Sequence, residues 1–217
     1  MTKVIVMGKG VLAEKISEWF FDSKEYNLIY LVPNNPESTW TVSLKSIADK
    51  KGISIIESGD YKDINPREID LIVSVTYEKI IKDSFIRKVN RIINIHNGPL
   101  PQYRGVNPIN WALKNNERKH GVTIHDILAG IDNGPIISKV LFPVNPEVDE
   151  VIDVYERCMN FGWKLFKETI PDLWNIKPYT QDEKLANYYS KDDFSKLKER
   201  SYFTRKESIE KLNLDNQ

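Results

Sequence analysis

The sequence predicts an α/β fold built on a doubly wound, mostly parallel sheet, and three observations carry this prediction. Short β-branched runs alternate with segments of about a dozen residues whose apolar positions have helical spacing, which is typical of strand–helix–strand units. Residues 70–75 are almost continuously apolar after the first, as expected for a strand covered on both faces. A glycine turn at residues 8–10 joins the first strand to the first helix. The predicted arrangement is therefore Rossmann-like.

The first half of the chain supplies the parallel strands. The β-branched and apolar runs predict strands over residues 3–7, 26–32, 53–56, 70–75 and 91–95. Apolar residues at helical spacing predict one helix over residues 11–20 and another over residues 43–51. Glycines and prolines separate these segments, as they do between the elements of an open α/β sheet.

The pattern changes from Gly121 onwards. Strands are predicted over residues 122–127 and 136–144, followed by an amphipathic helix over residues 148–170 in which Cys158 is expected to be a buried packing residue. Residues 1–178 are therefore expected to form one domain. The C-terminal extension, residues 179–217, is expected to be a substrate flap or the arm of a homodimer, with packing on the core as the alternative.

Composition limits the class of protein. The chain has 217 residues, and its 31 Lys and Arg balance its 31 Asp and Glu, which disfavours a large RNA or another nucleic acid as partner. A single cysteine suits a reducing compartment, and the N-terminal residues lead directly into a strand without a signal sequence. No apolar run approaches the roughly 20 residues that a membrane span requires. We therefore expect a soluble, cytoplasmic protein.

The turn Gly8-Lys9-Gly10 has the position of an anion-binding turn between a strand and a helix. The dinucleotide-binding pattern has a third glycine where this chain has Ala13, which that pattern also tolerates. The acidic residue expected at the end of the next strand is missing. A nicotinamide-dependent oxidoreductase therefore remains an alternative, beside a turn that contacts a substrate phosphate or only forms the corner.

The most informative segment begins at the end of the strand over residues 91–95. Asn94 and His96 are two positions apart on that strand, so their side chains point to the same face of the sheet. An asparagine amide can donate to a carbonyl oxygen that becomes negative, and a histidine can titrate near neutral pH. Such a strand end at a change of winding is where open α/β proteins usually bind ligands. A histidine there is also commonly structural.

Asp132 lies downstream in a loop flanked by Gly130 and Gly134. A carboxylate at such a position can cap a turn, or it can orient a histidine and relay protons if the three polar groups meet. Together with Asn94 and His96 it would support acyl transfer. A metal hydrolase is disfavoured, because no ligand pair of the H-E-x-x-H type is present.

These residues resemble the catalytic core of the folate-dependent formyltransferases. That family is recognised by an Asn-x-His at a strand end, a Leu-Pro a few residues later, a Gly-Val-Thr strand and an Asp-x-Gly loop. Here the corresponding residues are Asn94-Ile95-His96, Leu100-Pro101, Gly121-Val122-Thr123 and Asp132-Asn133-Gly134. The order and spacing agree across residues 94–143, and the resemblance fades in the tail.

The resemblance implies 10-formyltetrahydrofolate as co-substrate and direct formyl transfer, with no covalent enzyme intermediate and no metal. It implies Asn94, His96 and Asp132 as catalytic residues. The folate-binding positions that it implies are Tyr77, Glu78, Lys79, Ile80, Ile127 and Gly130. One departure is Gly98, where many relatives have a serine.

The resemblance leaves the acceptor amine to be argued. Enzymes acting on glycinamide ribonucleotide usually have a different first loop, and those acting on tRNA usually have a further C-terminal domain that is not expected here. The stretch after the motif is similar to that of sugar N-formyltransferases, which implies a nucleotide-linked amino sugar such as dTDP-4-amino-4,6-dideoxyglucose. The expected substrate-binding residues are Gly8, Lys9, Gly10, Tyr103, Arg104 and Trp111. Another small amine, such as glycinamide ribonucleotide, and a catalytically idle binding module remain alternatives.

Overall fold

The computed structural model describes residues 1–197, and its centre is a β-sheet. In chain order the strands are β1 (Thr2–Gly8), β2 (Tyr26–Pro33), β3 (Leu71–Val75), β4 (Arg91–His96), β5 (Arg104–Gly105), β6 (Lys119–Asp126), β7 (Ile136–Pro143) and β8 (Tyr188–Tyr189). Six of them form the central sheet in the order β2-β1-β3-β4-β6-β7, while β5 and β8 pair separately. The first four strands of the sheet are parallel, and β6 and β7 are antiparallel to their neighbours.

Helices cover the sheet. In chain order they are α1 (Val11–Phe21), α2 (Leu44–Lys51), α3 (Asp83–Ile86), α4 (Pro108–Lys114), α5 (Val151–Thr169) and α6 (Phe194–Leu197). In the part of the chain that the structure describes, no helix has both the length and the apolar character needed to cross a bilayer. The predicted α/β class and mostly parallel sheet are therefore confirmed.

The winding reverses between β1 and β3, because β2 lies on one side of β1 and the later strands lie on the other. The reversal was expected at the end of β4, where the sheet instead changes from parallel to antiparallel. The carboxyl ends of β1, β3 and β4 nevertheless share one edge, since Gly8 pairs with Val75 and Val75 with Ile95. Adjacent strands are about 4.8 Å apart, so these three ends lie within about 10 Å of each other.

Two apolar clusters divide the core between the faces of the sheet. Ile93 and Ile95 of β4 belong to the larger cluster, which also contains the buried residues of α1 and α5. Ile92 belongs to the smaller cluster on the other face. Because side chains alternate along a strand, Asn94 and His96 lie on the face of Ile92, away from the two long helices. On that face, the loop residues Tyr77 and Ile127 pack against the smaller cluster.

Two predicted elements differ in the structure. Residues 53–56 do not form a strand, because only Ile55 bridges to Leu31 before the chain turns towards Gly59. The last long helix begins at Val151 rather than at residue 148, because Glu150 and Asp153 form a reciprocal capping box. Cys158 in that helix is fully buried, as expected, and burial raises the pKa of its thiol.

The described part of the C-terminal extension packs on the same chain. Tyr179 exchanges two backbone hydrogen bonds with Ile136, and β8 pairs with β5. The Tyr189 ring stacks on both Tyr103 and Trp111, at centroid distances of 5.6 and 4.5 Å. The described part of the extension thus covers the loop that follows β4. Residues 198–217 lie outside the described part.

Candidate active site

The end of β4 and the loop after β6 bring together the three polar side chains singled out in the sequence. The Asp132 Oδ1 atom lies 3.5 Å from the Asn94 amide nitrogen, and its Oδ2 atom lies 3.6 Å from His96 Nδ1. Only 8% of the His96 side chain and 13% of the Asp132 side chain are exposed. A carboxylate, an imidazole and a carboxamide therefore meet in one largely desolvated place.

His125 is a fourth member of this site, and the sequence motifs do not single it out. It faces Asn94 across the antiparallel β4–β6 pair, with Nε2 3.2 Å from the Asn94 amide nitrogen. Its Nδ1 is 2.9 Å from the Asp126 carbonyl oxygen and donates to it. In the neutral ring Nε2 is then an acceptor, so it orients the Asn94 amide. The sequence signal that could have indicated His125 is the Gly-Val-Thr motif, which ends two residues before it.

Both ring nitrogens of His96 face oxygen acceptors. Nε2 is 2.6 Å from the Tyr103 carbonyl oxygen and donates to it, while Nδ1 faces Asp132 at slightly more than hydrogen-bond distance. The Asp132 carboxylate therefore lies beside the ring nitrogen that is not bound to Tyr103.

Asp132 is held from several sides. Its backbone has a φ of 51°, a left-handed conformation that aspartate tolerates better than most residues. The Gly105 N–H donates to Oδ2 at 2.9 Å. Burial by itself raises the pKa of this carboxyl group, but the neighbouring His96 and the Gly105 N–H outweigh it and hold the pKa well below its usual range. Asp132 is therefore a charged carboxylate at neutral pH.

The loop after β4 is fastened by the Gly-Val-Thr strand. The Thr123 hydroxyl donates to the Gly98 carbonyl oxygen at 2.8 Å and accepts from the Leu100 N–H at 3.1 Å. Gly98 packs tightly, since an added β-carbon would lie 3.0 Å from His96 Nε2 and 2.9 Å from the Pro108 β-carbon. A serine at this position would press on the His96 ring. The absence of a side chain at Gly98 therefore leaves room for the His96 ring.

Three of the expected substrate-binding residues make contacts within the protein. The Arg104 guanidinium is buried, and all three of its nitrogens donate to Gln181 or Glu183, so it is not free to bind a diphosphate in this arrangement. The Tyr103 hydroxyl donates to Glu117, and burial raises the pKa of this phenol. Trp111 is buried and stacks on Tyr189. The tail covers all three.

The glycine turn after β1 is also engaged within the protein. Its Lys9 and Gly10 N–H groups donate to the carbonyl oxygens of Val75 and Val42, at 3.1 and 2.9 Å, so neither is free for a phosphate. Gly8 has a φ of 122°, and a β-carbon there would collide with the Val75 carbonyl oxygen. This glycine makes the corner, as the alternative interpretation expected. The Lys9 ammonium group contacts the Glu78 carboxylate.

The expected folate-binding segments lie on either side of β4, since one follows β3 and the other follows β6. Tyr77 and Ile127 both pack against the smaller apolar cluster, on the face that carries Asn94 and His96. Ile80 is 70% exposed, and Leu128 and Ile131 are also exposed. Within residues 1–197, the backbone N–H groups of residues 79–81 and 128–131 have no protein acceptor. The two segments thus present apolar side chains and free backbone polar groups around the catalytic candidates.

A closed ring of hydrogen bonds fixes the first of these segments. The Lys9 ammonium group donates to Glu78, and the Glu78 N–H donates to Asn34 Oδ1 at 3.1 Å. The Asn34 amide donates to the Thr76 carbonyl oxygen at 2.8 Å, and the Thr76 hydroxyl returns to the Lys9 carbonyl oxygen at 2.8 Å. Asn34 is buried and Thr76 has a φ of 51°. The ends of β1, β2 and β3 are thereby tied together.

No group of three or more His, Cys, Asp or Glu side chains within residues 1–197 is arranged to hold a metal ion. The three catalytic candidates and His125 contact each other directly, or contact backbone groups.

Comparison with known proteins agrees with this geometry. The curated relatives include the methionyl-tRNA formyltransferase of Streptococcus mutans, which is 25% identical over 202 residues. The match covers 87% of this chain and 65% of that protein, so the chain spans about two thirds of its length. Similar solved structures include an N-formyltransferase from Helicobacter canadensis in complex with folinic acid and dTDP-3-aminofucose, at 27% identity and a TM-score of 0.76. That alignment covers 89% of this chain and 72% of the other.

A second solved structure is the sugar 3N-formyltransferase WlaRD in the presence of dTDP and 5-N-formyltetrahydrofolate. It is 29% identical, has a TM-score of 0.77, and the alignment covers 89% of this chain and 71% of that one. A family model described as formyl transferase matches residues 47–170, more than half of the chain and a range that contains all four polar side chains of the site. The chain therefore belongs to the formyl transferase family.

Proposed function

We propose that this protein transfers the formyl group of 10-formyltetrahydrofolate to the primary amine of a nucleotide-linked amino sugar. The observation that carries the proposal is the meeting of Asn94, His96 and Asp132 within 3.6 Å at the end of β4. A carboxamide donor, an imidazole ring and a carboxylate are the groups that acyl transfer to an amine requires.

Attack of the neutral amine on the formyl carbon converts the carbonyl oxygen into an oxyanion. Asn94 has two amide hydrogens, of which one is used by His125 and the other faces Asp132 at the outer limit of a hydrogen bond. That second hydrogen can turn to the oxyanion as negative charge develops there. The His96 imidazole stabilises the same developing charge, and burial strengthens both interactions.

The bond from the formyl carbon to N10 of the folate then breaks. The attacking amine loses one proton, and N10 gains one as it leaves, so the protons balance without any other reactant. Asp132 faces both Asn94 and His96 and serves as the relay for this proton. Because its pKa is held low, Asp132 passes the proton on instead of retaining it.

The folate assignment has two supports. Unpaired backbone groups of residues 79–81 and 128–131 flank the site, and they suit the hydrogen-bonding edge of a pterin ring. The similar solved structures also contain folinic acid or 5-N-formyltetrahydrofolate. We therefore place the pterin between Tyr77, Glu78, Lys79 and Ile80 on one side and Ile127 and Gly130 on the other.

The acceptor assignment depends on charge and on similarity. The chain has no net charge, which disfavours binding of a polyanionic tRNA through its backbone. Two similar structures are named for dTDP-3-aminofucose or for a sugar 3N-formyl transfer. A nucleotide-linked amino sugar, with its amine at C3 or C4 of the hexose, is therefore the acceptor class that we propose.

The deciding experiment incubates the protein with 10-formyltetrahydrofolate and one amine at a time. The panel contains dTDP-3-amino and dTDP-4-amino sugars, their UDP counterparts, glycinamide ribonucleotide and initiator methionyl-tRNA. We expect an amino sugar to gain the mass of one CO while tetrahydrofolate is released in equal amount. Formylation of the tRNA or the ribonucleotide alone would overturn the acceptor class, and transfer to no amine would overturn the activity.

A further inference from the structure

Every backbone carbonyl oxygen in the first part of the loop after β4 accepts a hydrogen bond. Pro99 and Pro101 leave this stretch few N–H groups of its own, so most of the donors come from other elements. The oxygens are those of residues 97–101, and their donors are, in order, the His120 ring, the Thr123 hydroxyl, the Tyr103 N–H, the Lys139 ammonium group and the Asn187 N–H. The loop is therefore held at each of these residues.

Lys139 is the charged donor in this set, and it comes from the edge strand β7. Its Nζ atom donates to the Leu100 carbonyl oxygen at 3.0 Å. Lys139 pairs with Thr123 across the β6–β7 ladder, and the Thr123 hydroxyl accepts from the Leu100 N–H at 3.1 Å. Two side chains that are neighbours on adjacent strands thus hold both backbone polar groups of Leu100, whose own side chain is fully buried.

The surroundings of Lys139 are unfavourable for an ammonium group. Within residues 1–197 no carboxylate compensates its charge, and burial lowers the pKa of the group. Removing an ammonium group from water costs free energy when no carboxylate compensates for the lost hydration. An apolar side chain would fill the same space without this cost. The hydrogen bond to Leu100, rather than space filling, is therefore what the lysine provides.

The turn that contains Leu100 carries this restraint to the candidate site. The Tyr103 N–H donates to the Pro99 carbonyl oxygen at 3.2 Å, which closes the turn. The Tyr103 carbonyl oxygen at its end accepts from His96 Nε2 at 2.6 Å. The hydrogen bond made by one ring nitrogen sets the tautomer and the orientation of a histidine. A shift of Leu100 would therefore move the group that directs His96 Nδ1 towards Asp132, 3.6 Å away.

We propose that Lys139 is a positioning residue for His96. Its ammonium group holds the Leu100 carbonyl oxygen, so that the turn keeps the Tyr103 carbonyl oxygen on His96 Nε2. This inference rests on the proposed formyl transfer and adds to it a residue outside the catalytic candidates. A misplacement of about 1 Å can cost roughly a hundredfold in rate, and since the other donors to the loop remain, we expect loss of the Lys139 donor to cost about tenfold.

The kinetic test removes the donor and keeps an unbranched side chain. Lys139→Met lacks the ammonium group, whereas Lys139→Arg and Lys139→Gln retain an N–H donor. With the acceptor identified by the panel, kcat of Lys139→Met should fall about tenfold, while the KM values of both substrates stay within about twofold. Lys139→Arg should recover most of the loss, and Lys139→Gln part of it. The matched control is Lys119→Met, which makes the same change at an exposed lysine of β6 and should retain wild-type turnover.

A second measurement follows His96 directly and needs no substrate. The chain has three histidines, so nitrogen-15 NMR signals of the imidazoles can be assigned one by one. In the wild type the His96 Nε2 proton should exchange slowly with water, because the Tyr103 carbonyl oxygen binds it. In Lys139→Met this exchange should accelerate and the ring should populate both tautomers, while the His125 signals stay unchanged.

The outcomes separate this inference from the proposed function. Wild-type kcat in Lys139→Met, or a loss of kcat with unchanged His96 signals, would overturn the positioning role. A lower melting temperature with unchanged kcat would assign Lys139 to stability alone and overturn it as well. If the wild type transfers formyl to no amine, the proposed function fails, and the His96 signals still decide whether Lys139 orients the ring. If Lys139→Met does not fold, Lys139→Gln takes its place in the comparison with Lys139→Arg.

Discussion

Asp132 is the residue on which the candidate site converges. Its two carboxylate oxygens contact Asn94, His96 and the Gly105 N–H, and its carbonyl oxygen accepts from Gln181. A left-handed aspartate in a glycine-flanked loop can be a simple turn residue, and the sequence alone could not exclude that role. Its contacts with β4, a strand far away in the sequence, are what favour a chemical role.

Removal of any of the three catalytic candidates should nearly abolish transfer. Loss of one well-placed oxyanion donor costs roughly two to three orders of magnitude in turnover. We therefore expect Asn94→Ala, His96→Ala and Asp132→Asn each to lower kcat by about that factor. The measurement is kcat with the acceptor identified by the panel, alongside circular dichroism to establish that each variant is folded. Near-normal turnover in all three would refute the assignment.

His125 should act as a positioning residue for Asn94. His125→Phe keeps a buried ring but removes the Nε2 acceptor, so the Asn94 amide loses the partner that orients it. One such hydrogen bond is worth up to about 1.5 kcal/mol, which predicts a fall in kcat of about tenfold with little change in the KM for folate. His125→Gln restores an acceptor oxygen and should recover part of the loss. A purely structural role would lower the melting temperature of His125→Phe without any rescue of kcat by glutamine.

At the scale of the elements, the tail segment and the Asp132 loop are joined by one side chain. The Gln181 amide donates to the carbonyl oxygens of Asp132 and Gly134, at 2.8 and 2.7 Å, and its oxygen accepts two hydrogen bonds from Arg104. Gln181 is only 6% exposed. The segment after α5 therefore holds the Asp132 loop in place.

Two substitutions of Gln181 should separate stability from activity. Gln181→Leu leaves buried carbonyl and guanidinium groups unsatisfied, each at a cost of about 1–3 kcal/mol, so urea unfolding should show a clear loss of stability. Gln181→Glu retains the acceptors for Arg104, but it replaces the two donations to the Asp132 loop by a carboxylate oxygen that faces the two carbonyl oxygens. It should be more stable than the leucine variant, and its kcat should still fall about tenfold.

Glu183→Gln is the control for this pair, because it changes an exposed partner of Arg104 and leaves every Gln181 bond in place. It should change stability and turnover little. Wild-type turnover in Gln181→Glu would show that the Asp132 loop does not need this support.

Elements were predictable where the signal was local. The strands and long helices of the sheet follow from runs and spacings within one segment, whereas residues 53–56 have strand composition but turn away after one bridge. The site residues divide in the same way. Asn94 and His96 share a face because of their spacing, but the partnership of His125 with Asn94 depends on the antiparallel pairing of β6 with β4.

The sequence does not predict the burial of Arg104, Tyr103 and Trp111. Their composition suits a nucleotide site, and nothing near them in the sequence indicates that residues 181–189 cover them. Burial by a distant segment is a property of the tertiary fold. The same limit applies to the glycine turn, whose N–H groups are used by Val42 and Val75.

At the scale of the whole molecule, the two faces of the sheet have different tasks. The face towards α1 and α5 contains the larger apolar cluster and provides rigidity. The opposite face has the smaller cluster, and the catalytic candidates and the expected folate-binding segments lie along it. A buried histidine close to the catalytic candidates, His120, makes the stability of the fold depend on pH.

His120 of β6 should determine part of that pH dependence. It is fully buried, and burial together with the charge of His96 lowers its pKa to about 4, against a partial opposing effect of its hydrogen bond to the Asn97 carbonyl oxygen. In the unfolded chain the pKa returns to about 6.5, so between pH 6.5 and 4 the unfolded state binds the extra proton. Stability should therefore fall as the pH drops through this window, by about 3 kcal/mol in total from this group.

The measurement is urea unfolding of the wild type and His120→Gln at intervals from pH 7.5 to 4. Glutamine cannot take up a proton, so the free energy of unfolding of the variant should fall less steeply below pH 6.5, and the two curves should converge towards pH 4. Above pH 7 the difference between them should be constant, because His120 is neutral in both the folded and the unfolded state. Parallel curves across the whole range would show that this imidazole takes up its proton equally well in both states, which its complete burial next to His96 argues against.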